Sequence, residues 1–285
     1  MSDREPLPPF VAPTWLAAQP PPAAGGPVVV DARWSLDGSE GEGTFEQGHL
    51  PGAVYVDLDT VLADPPDPQR GRHPLPSPER FARDLGARGV ADDVPVVAYD
   101  QGPGIAAARL VWMLRAIGQP AAVLDGGLAA WDGPLEAGAV EPTPVSRRTV
   151  PWPLGRVVAT DEVAALSDAD AVVLLDARDP ARFAGEEEPV DPRPGHIPGA
   201  RSAPASDNLD DGRLRPLEEL EARYSATGAL DAERVVAYCG SGVAACHDLL
   251  VLETLGVLGE LYAGSWSAWS ADPSRPAATG PDPGR

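Results

Sequence analysis

Lysine is absent from this chain of 285 residues, and all 22 basic residues are arginine. The chain therefore cannot form a Schiff base through a lysine amine or bind phosphate through a P-loop lysine. Only two cysteines are present, too few for a disulfide framework, so we expect a reducing, cytoplasmic location. No apolar run approaches the roughly 18 residues of a membrane span. The start, MSDREPLPPF, lacks a charged region followed by an apolar one, so we expect no secretory signal.

Basic residues are outnumbered by acidic ones, 22 to 43. The formal net charge is −21 at pH 7, and such a surface repels phosphate backbones, which argues against a nucleic-acid partner. An anionic substrate would need a local cation to enter a site on this protein. The apolar fraction of 43% is ordinary for a globular protein and is enough to form a core.

Two blocks of sequence occur twice, in the same order. The first block reads VVVDARWSLDGSEGEGTFEQGHLPGAVY at 28–55 and VVLLDARDPARFAGEEEPVDPRPGHIPGARSA at 172–203. The second reads PVVAYDQGPGIAAARLVWMLRAIG at 95–118 and RVVAYCGSGVAACHDLLVLETLG at 234–256. Self-similarity on this scale predicts two domains of the same fold.

The repeats predict domains at residues 1–140 and 155–285. Between them, residues 141–154 are rich in proline and lack periodicity, as is typical of a linker. Within each half, short apolar runs such as 95–99 alternate with helical patterns such as 77–89. This alternation predicts an α/β fold, in which each domain is a parallel sheet covered by helices.

The two halves differ at the end of the strand Val-Val-Ala-Tyr, where Asp100 stands in the first and Cys239 in the second. A glycine-rich turn that leads into a helix directs backbone N–H groups toward its centre. Gly240 and Gly242 would let the backbone curl around a sulfur atom. Such surroundings favour a reactive thiolate, and the hydroxyl of Ser241 could donate to the sulfur or to a bound substrate.

Three other interpretations fit the residues of this turn less well. GSGVAA at 240–245 fits the dinucleotide pattern G-x-G-x-x-A, but that fingerprint normally follows the first strand of its domain. A cysteine phosphatase needs an arginine at the position of Ala245. A metal site formed by Cys239, Cys246 and His247 matches no common ligand spacing.

With these motifs, the chain resembles the two-domain rhodanese-type sulfurtransferases. The turn Cys-Gly-Ser-Gly-Val-Ala-Ala at 239–245 is similar to the active-site loop of 3-mercaptopyruvate sulfurtransferases. Relatives that prefer thiosulfate carry Cys-Arg-Lys-Gly-Val-Thr instead. The resemblance implies that a small anionic donor leaves its sulfur on Cys239 as a persulfide. A thiol acceptor, such as thioredoxin or a small thiol, or cyanide then removes it, without a metal or organic cofactor.

The resemblance also implies roles for other residues in proton transfer. Ser241 matches a serine that belongs to this network in the mercaptopyruvate enzymes. Asp59 and His73, in the segment GAVYVDLDTVLADPPDPQRGRHPLP, match its acid and its histidine. We therefore expect Cys239, Ser241, His73 and Asp59 to be catalytic.

A set of substrate contacts follows from the same resemblance. Arg182, in DPARFAG, matches an arginine that holds the substrate carboxylate, and the first half has no counterpart. The family's second arginine follows Glu-Pro, whereas this chain reads EEEPVDPRPGH and carries Arg193 instead. The remaining expected contacts lie in the cysteine turn: Gly240, Gly242, Val243 and Ala244. Two alternatives remain at this point, a thiosulfate sulfurtransferase and a non-catalytic sulfur-relay or binding module.

Overall fold

The structure is a computed structural model that describes residues 7–166 and 171–284. Its contacts divide the chain into two compact units, and the break after Trp152 falls inside the predicted linker 141–154. Residues 63–75, which the sequence led us to expect in the first domain, group with the second unit.

The first unit is built on a parallel sheet, in which five strands have the spatial order β1-β5-β4-β2-β3. The predicted buried run at 95–99 forms the central strand β4, all of whose residues are buried. In chain order the strands are β1 Phe10–Val11, β2 Val28–Asp31, β3 Val54–Tyr55, β4 Val96–Tyr99 and β5 Ala121–Leu124.

Helices surround this sheet, and the helix expected at 77–89 is present as Pro78–Ala87. Its first turn is capped by Ser77, whose hydroxyl accepts a hydrogen bond from the N–H of Arg80. The α-helices are α1 Pro13–Ala17, α2 Glu42–Gln47, α3 Leu58–Val61, α4 Pro78–Ala87 and α5 Ile105–Ala116, with single 3₁₀ turns at Pro22–Ala24 and Leu128–Ala130.

The second unit repeats this plan with four parallel strands in the order β11-β10-β6-β7, beside a small antiparallel pair, β8-β9. Its strands are β6 Val172–Asp176, β7 Arg201–Ser202, β8 Leu209–Asp210, β9 Arg213–Leu214, β10 Arg234–Tyr238 and β11 Glu260–Leu261. Its helices are α6 Thr160–Leu166, α7 Pro180–Ala184, α8 Leu217–Ala226, α9 Ala244–Thr254 and α10 Ser265–Ala271, with a 3₁₀ turn at Ala205–Asn208. The predicted α/β fold is confirmed in both units.

The repeated Asp-Ala-Arg motif links the end of a strand to a turn. Arg178 pairs with Asp176 at 2.6 Å and donates to the carbonyl of Gly195 at 2.7 Å. Arg33 makes the corresponding two contacts in the first unit. Since both copies hold the same arrangement, these arginines stabilise the fold rather than form a site. Within the two described ranges, no helix has the length and apolar character that a bilayer crossing requires.

Candidate active site

Cys239 follows the last residue of β10 and begins the turn that leads into α9. The N–H of Gly242 donates to the Cys239 sulfur at 3.1 Å. Gly242 has a φ of +78°, a left-handed conformation that glycine adopts without steric cost. Val243 and Ala244 continue the chain into the helix. Cys239 is only 3% exposed, so the turn holds a largely buried cysteine whose sulfur faces the N–H of Gly242.

The matching turn of the first unit shows what this geometry binds. The two carboxylate oxygens of Asp100 accept N–H donors from Gly102 and Gly104, and from Ala106 and Ala107, at 2.9 to 3.3 Å. Burial raises the pKa of Asp100, while these four donors oppose the rise. The repeated turn is therefore an anion-binding structure, which is filled by a carboxylate in one copy and begins with a cysteine in the other.

The start of α10 fixes the cysteine turn from one side. The Ser265 hydroxyl accepts a hydrogen bond from the N–H of Cys239 at 3.1 Å. The N–H groups of Trp266 and Ser267 donate to the carbonyls of Cys239 and Gly240, both at 2.9 Å. Ser265 has a φ of +52°, an unusual conformation for a non-glycine residue. Residues in such conformations persist where surrounding contacts hold them, so α10 is a rigid support for the turn.

The same helix end also fixes the segment 63–75. Gly71 has a φ of +94°, and a Cβ there would lie 2.5 Å from the carbonyl oxygen of Gly264. The N–H of Arg72 donates to the Ser267 hydroxyl at 3.0 Å. Only glycine permits this close approach, and it places the two residues that follow Gly71 beside the cysteine turn.

The second of those residues, His73, pairs with a residue of the turn. Its Nδ1 lies 2.7 Å from the Ser241 hydroxyl oxygen, and both residues are buried. Asp59 belongs to the other unit, where it lies in α3 and accepts a hydrogen bond from the Trp34 indole at 3.0 Å.

Arg182, in α7, lies on the side of Gly240. Its Nη1 is 3.6 Å from the point where a Cβ of Gly240 would stand. Its Nη2 donates to Glu188 at 2.6 Å and to Asp191 at 3.0 Å. Burial opposes ionisation of Glu188, but the N–H of Asp191 and the guanidinium of Arg182 hold its pKa below the usual value. Arg182 is thus a firmly held cation beside Gly240, the residue that follows the cysteine.

Sequence reasoning missed a second cation at this place. Arg72 Nη2 lies 3.2 Å from the same Gly240 Cβ position. Arg72 Nη1 donates to Asp191 at 2.8 Å, so a single carboxylate is shared by the two arginines. The signal in the sequence was slight, because Arg72 stands in an irregular loop and is marked only by its position next to His73.

Arg193 lies elsewhere in the second unit. Its guanidinium donates to backbone carbonyls at the end of α10 and just beyond it, those of Ser270, Trp269, Asp272 and Arg275, at 2.8 to 3.1 Å. The residue that directly follows Glu188-Pro189 is Val190. These contacts give Arg193 a structural role at the C-terminal end of a helix, where a cation is favoured.

The second unit therefore combines a cysteine in an anion-binding turn, a histidine–serine pair and two guanidinium groups. Such a set can supply a nucleophile, transfer a proton and bind an anionic group.

Comparison with known proteins agrees with this description. Residues 13–133 and 159–272 each match the model of the Rhodanese-like domain. A probable 3-mercaptopyruvate sulfurtransferase of Pseudomonas aeruginosa is 45% identical over 263 residues, covering 89% of this chain and 92% of that protein. A putative thiosulfate sulfurtransferase of Mycobacterium tuberculosis, SseB, is 43% identical over 273 residues, covering 90% and 93%.

A solved structure is similar over almost the whole chain. The 3-mercaptopyruvate sulfurtransferase SseA of Escherichia coli aligns with a TM-score of 0.76 and 35% identity, covering 91% of this chain and 99% of that one. The chain belongs to the rhodanese-like family of sulfurtransferases and carries two rhodanese-like domains, as its motifs predicted.

Proposed function

We propose that this protein transfers sulfur from 3-mercaptopyruvate, through a persulfide on Cys239, to a thiol acceptor or to cyanide. The observation that carries the proposal is the contact of 2.7 Å between His73 and Ser241, next to the turn that holds the Cys239 sulfur. A nucleophile with a proton-transferring pair beside it suits a donor whose leaving group must be protonated. The names of the relatives support the same donor.

In the first half-reaction, the Cys239 thiolate attacks the thiol sulfur of 3-mercaptopyruvate. A sulfur–sulfur bond forms, and the bond between that sulfur and the methylene carbon breaks. The bonding electrons leave with carbon as the enolate of pyruvate, which takes up one proton to become pyruvate. The persulfide stays on Cys239.

The proton comes from the pair formed by Ser241 and His73. Both side chains are buried, so a proton carried between them is not lost at once to solvent. We propose that Asp59, expected from the sequence to be catalytic, contributes to this proton transfer.

In the second half-reaction, a thiolate or cyanide attacks the outer sulfur of the persulfide, and the Cys239 thiolate is released. We propose thioredoxin or a small thiol as the acceptor, with a cytoplasmic location. Two cysteines are too few for a disulfide framework in a chain of this length, which supports this location.

Intact mass spectrometry tests the chemistry directly. After treatment with 3-mercaptopyruvate and removal of excess donor, the wild-type protein should gain the mass of one sulfur atom, and Cys239→Ser should gain none. Cys246→Ser is the matched control and should still gain one sulfur, because Cys246 points its thiol at the Gly242 carbonyl. A wild-type protein that never gains sulfur would leave a non-catalytic relay or binding module as the function.

Thiosulfate is the second candidate donor, favoured by the two guanidinium groups beside Gly240, which suit a dianion. The relative named as a putative thiosulfate sulfurtransferase points the same way. The ratio of kcat/KM for the two donors, with thiocyanate formation from cyanide as the readout, decides between them. We expect 3-mercaptopyruvate to be preferred.

A further inference from the structure

The repeated Gly-His-x-Pro-Gly-Ala turn is crossed by the closing segment of its unit in both halves of the chain. In the first unit, His49 and Glu136 exchange two backbone hydrogen bonds of 2.9 Å. In the second unit, His196 and Ala278 exchange the same two bonds, also at 2.9 Å. Up to this bridge, the two units cover the turn in the same way.

Beyond the bridge the two segments separate. In the second unit the tail turns back, so that the Pro283 carbonyl accepts from the N–H of Gly199 at 2.8 Å and lies 3.1 Å from Nε2 of His196. In the first unit the chain continues to α4, to which the N–H of Val145 donates at 2.8 Å. The second unit thus covers its turn with its own Pro-Asp-Pro-Gly segment at 281–284.

The equivalent groups of the first unit are not covered in this way. Nε2 of His49 is buried and, among the residues that the structure describes, has no hydrogen-bond partner. The N–H of Gly52, the counterpart of Gly199, donates to the exposed carboxylate of Glu136 at 2.9 Å. Because buried polar groups are nearly always hydrogen-bonded, the unpartnered nitrogen of His49 indicates that a ligand binds here.

A cavity of about 440 Å³ lies beside Gly52. Its walls are mainly apolar and include Leu16, Leu50, the half-buried Trp131 and five prolines, while Glu136 is the charged residue of the lining. Aromatic, apolar grooves suit proline-rich segments, whose extended conformation is largely formed before binding. The carboxylate of Glu136 favours a segment that also carries a positive charge.

We propose that this cavity of the first unit binds a proline-rich, basic segment of a partner protein, in the place that the tail 281–284 takes in the second unit. A backbone carbonyl of the segment replaces Glu136 on the N–H of Gly52, and the released carboxylate pairs with the basic residue. The site is independent of sulfur transfer, since every residue that forms it belongs to the first unit.

The test is an NMR titration of the full-length, ¹⁵N-labelled protein with the peptide acetyl-Gly-Pro-Pro-Pro-Gly-Arg-amide. This probe follows the tail sequence GPDPGR, with proline in place of aspartate to make it basic. We expect saturable shifts of the Gly52 amide and of Nε2 of His49, with a Kd of about 1 mM or tighter. Absence of a saturable shift at these two groups up to about 5 mM peptide would overturn the proposal.

Two tryptophan variants show whether the peptide occupies the cavity. Trp131→Ala should raise Kd about 10-fold or more, as expected for an aromatic anchor of an interface. Trp15→Ala is the matched control, because Trp15 is 36% exposed in the same unit and is not part of the lining, and its Kd should equal that of the wild type. An unchanged Kd in Trp131→Ala would mean that the peptide binds elsewhere.

A charge comparison decides if Trp131→Ala does not fold. Glu136→Gln should raise Kd for the arginine peptide about threefold at low salt, and should leave Kd unchanged for a peptide with glutamine in place of arginine. Equal effects on both peptides would contradict the proposed pairing. If the same resonances shift with protein concentration in the absence of peptide, a second copy of this chain is the occupant and the proposal is wrong. Sulfur uptake at Cys239 should be the same in all these variants.

Discussion

The Nδ1 atom of His73 and the hydroxyl oxygen of Ser241 are 2.7 Å apart, although 168 positions separate them in the chain. This contact joins the segment 63–75 to the cysteine turn inside one compact unit. It gives the turn a group that can hold and release a proton. The chemistry of the proposed reaction can therefore be tested by asking which donor needs this pair.

His73→Ala should slow turnover of 3-mercaptopyruvate about 100-fold or more, the usual contribution of a general acid. Turnover of thiosulfate should change much less, because sulfite leaves without taking a proton. The measurement is kcat for each donor at saturating cyanide. Equal slowing of both donors would contradict a role in proton delivery.

A double-mutant comparison shows whether the two residues act together. Ser241→Ala alone should reproduce most of the loss caused by His73→Ala, and the double variant should be little worse than either single one, since residues of one network are not additive. Additive losses would mean that Ser241 and His73 act independently.

Arg182→Ala should raise KM for 3-mercaptopyruvate strongly, by about 10- to 100-fold, because its guanidinium lies beside Gly240. Arg193→Ala is the contrasting variant. Loss of its bonds to the carbonyls around the end of α10 should lower the free energy of unfolding and leave KM unchanged. An unchanged KM in Arg182→Ala would mean that Arg182 does not bind the carboxylate of 3-mercaptopyruvate.

The contrast between these arginines shows what the sequence could predict. The strands, the helix after Ser77 and the cysteine turn follow from local patterns, and the repeat gave the two-domain plan. The resemblance led us to expect Arg193 among the substrate contacts, although it is displaced from the family position after Glu-Pro. The carbonyls that its guanidinium contacts lie 76 to 82 positions away, and no local sequence pattern reports such contacts.

The position of Arg72 beside the cysteine turn could not be predicted from the sequence for a related reason. The segment 63–75 has no periodicity, and its packing depends on a left-handed Gly71 meeting the carbonyl of Gly264. A close approach between two backbones leaves little trace in side-chain chemistry. The sequence accordingly assigned this segment to the first domain, whereas its contacts are with the second unit.

Asp100 allows a test of the anion-binding turn apart from catalysis. Asp100→Asn replaces one acceptor oxygen by an NH₂ group that faces backbone donors, so we expect a loss of about 2–4 kcal/mol in the free energy of unfolding. The measurement is urea denaturation at neutral pH. Sulfur uptake by the folded variant should stay at one atom per chain, because Asp100 belongs to the first unit. A variant as stable as the wild type would show that the four N–H donors contribute little.

A buried polar cluster behind the cysteine turn has its own pH dependence. The side-chain amide of Asn208 donates to Asp248 at 2.7 Å and lies 3.2 Å from Nδ1 of His247. The amide oxygen of Asn208 accepts hydrogen bonds from Tyr224 and Arg223. Burial raises the pKa of Asp248 from 3.8 to about 7, against the effects of Arg223 and Asn208. Burial lowers the pKa of His247 to about 4, so that imidazole is neutral in the folded protein above pH 5.

Because the pKa of Asp248 is raised in the folded state, the folded protein retains a proton that the unfolded chain releases near pH 4. The contribution of Asp248 to the free energy of unfolding is therefore fully present below pH 4 and is lost as the pH rises toward 7. Asp248→Asn removes the titration and keeps an oxygen that can accept from Asn208. The advantage of the variant over the wild type should therefore grow by ~3 kcal/mol between pH 5 and pH 8, measured by urea denaturation. The contribution of His247 is common to both proteins and cancels in the difference, so a pH-independent difference would mean that Asp248 is ionised throughout this range.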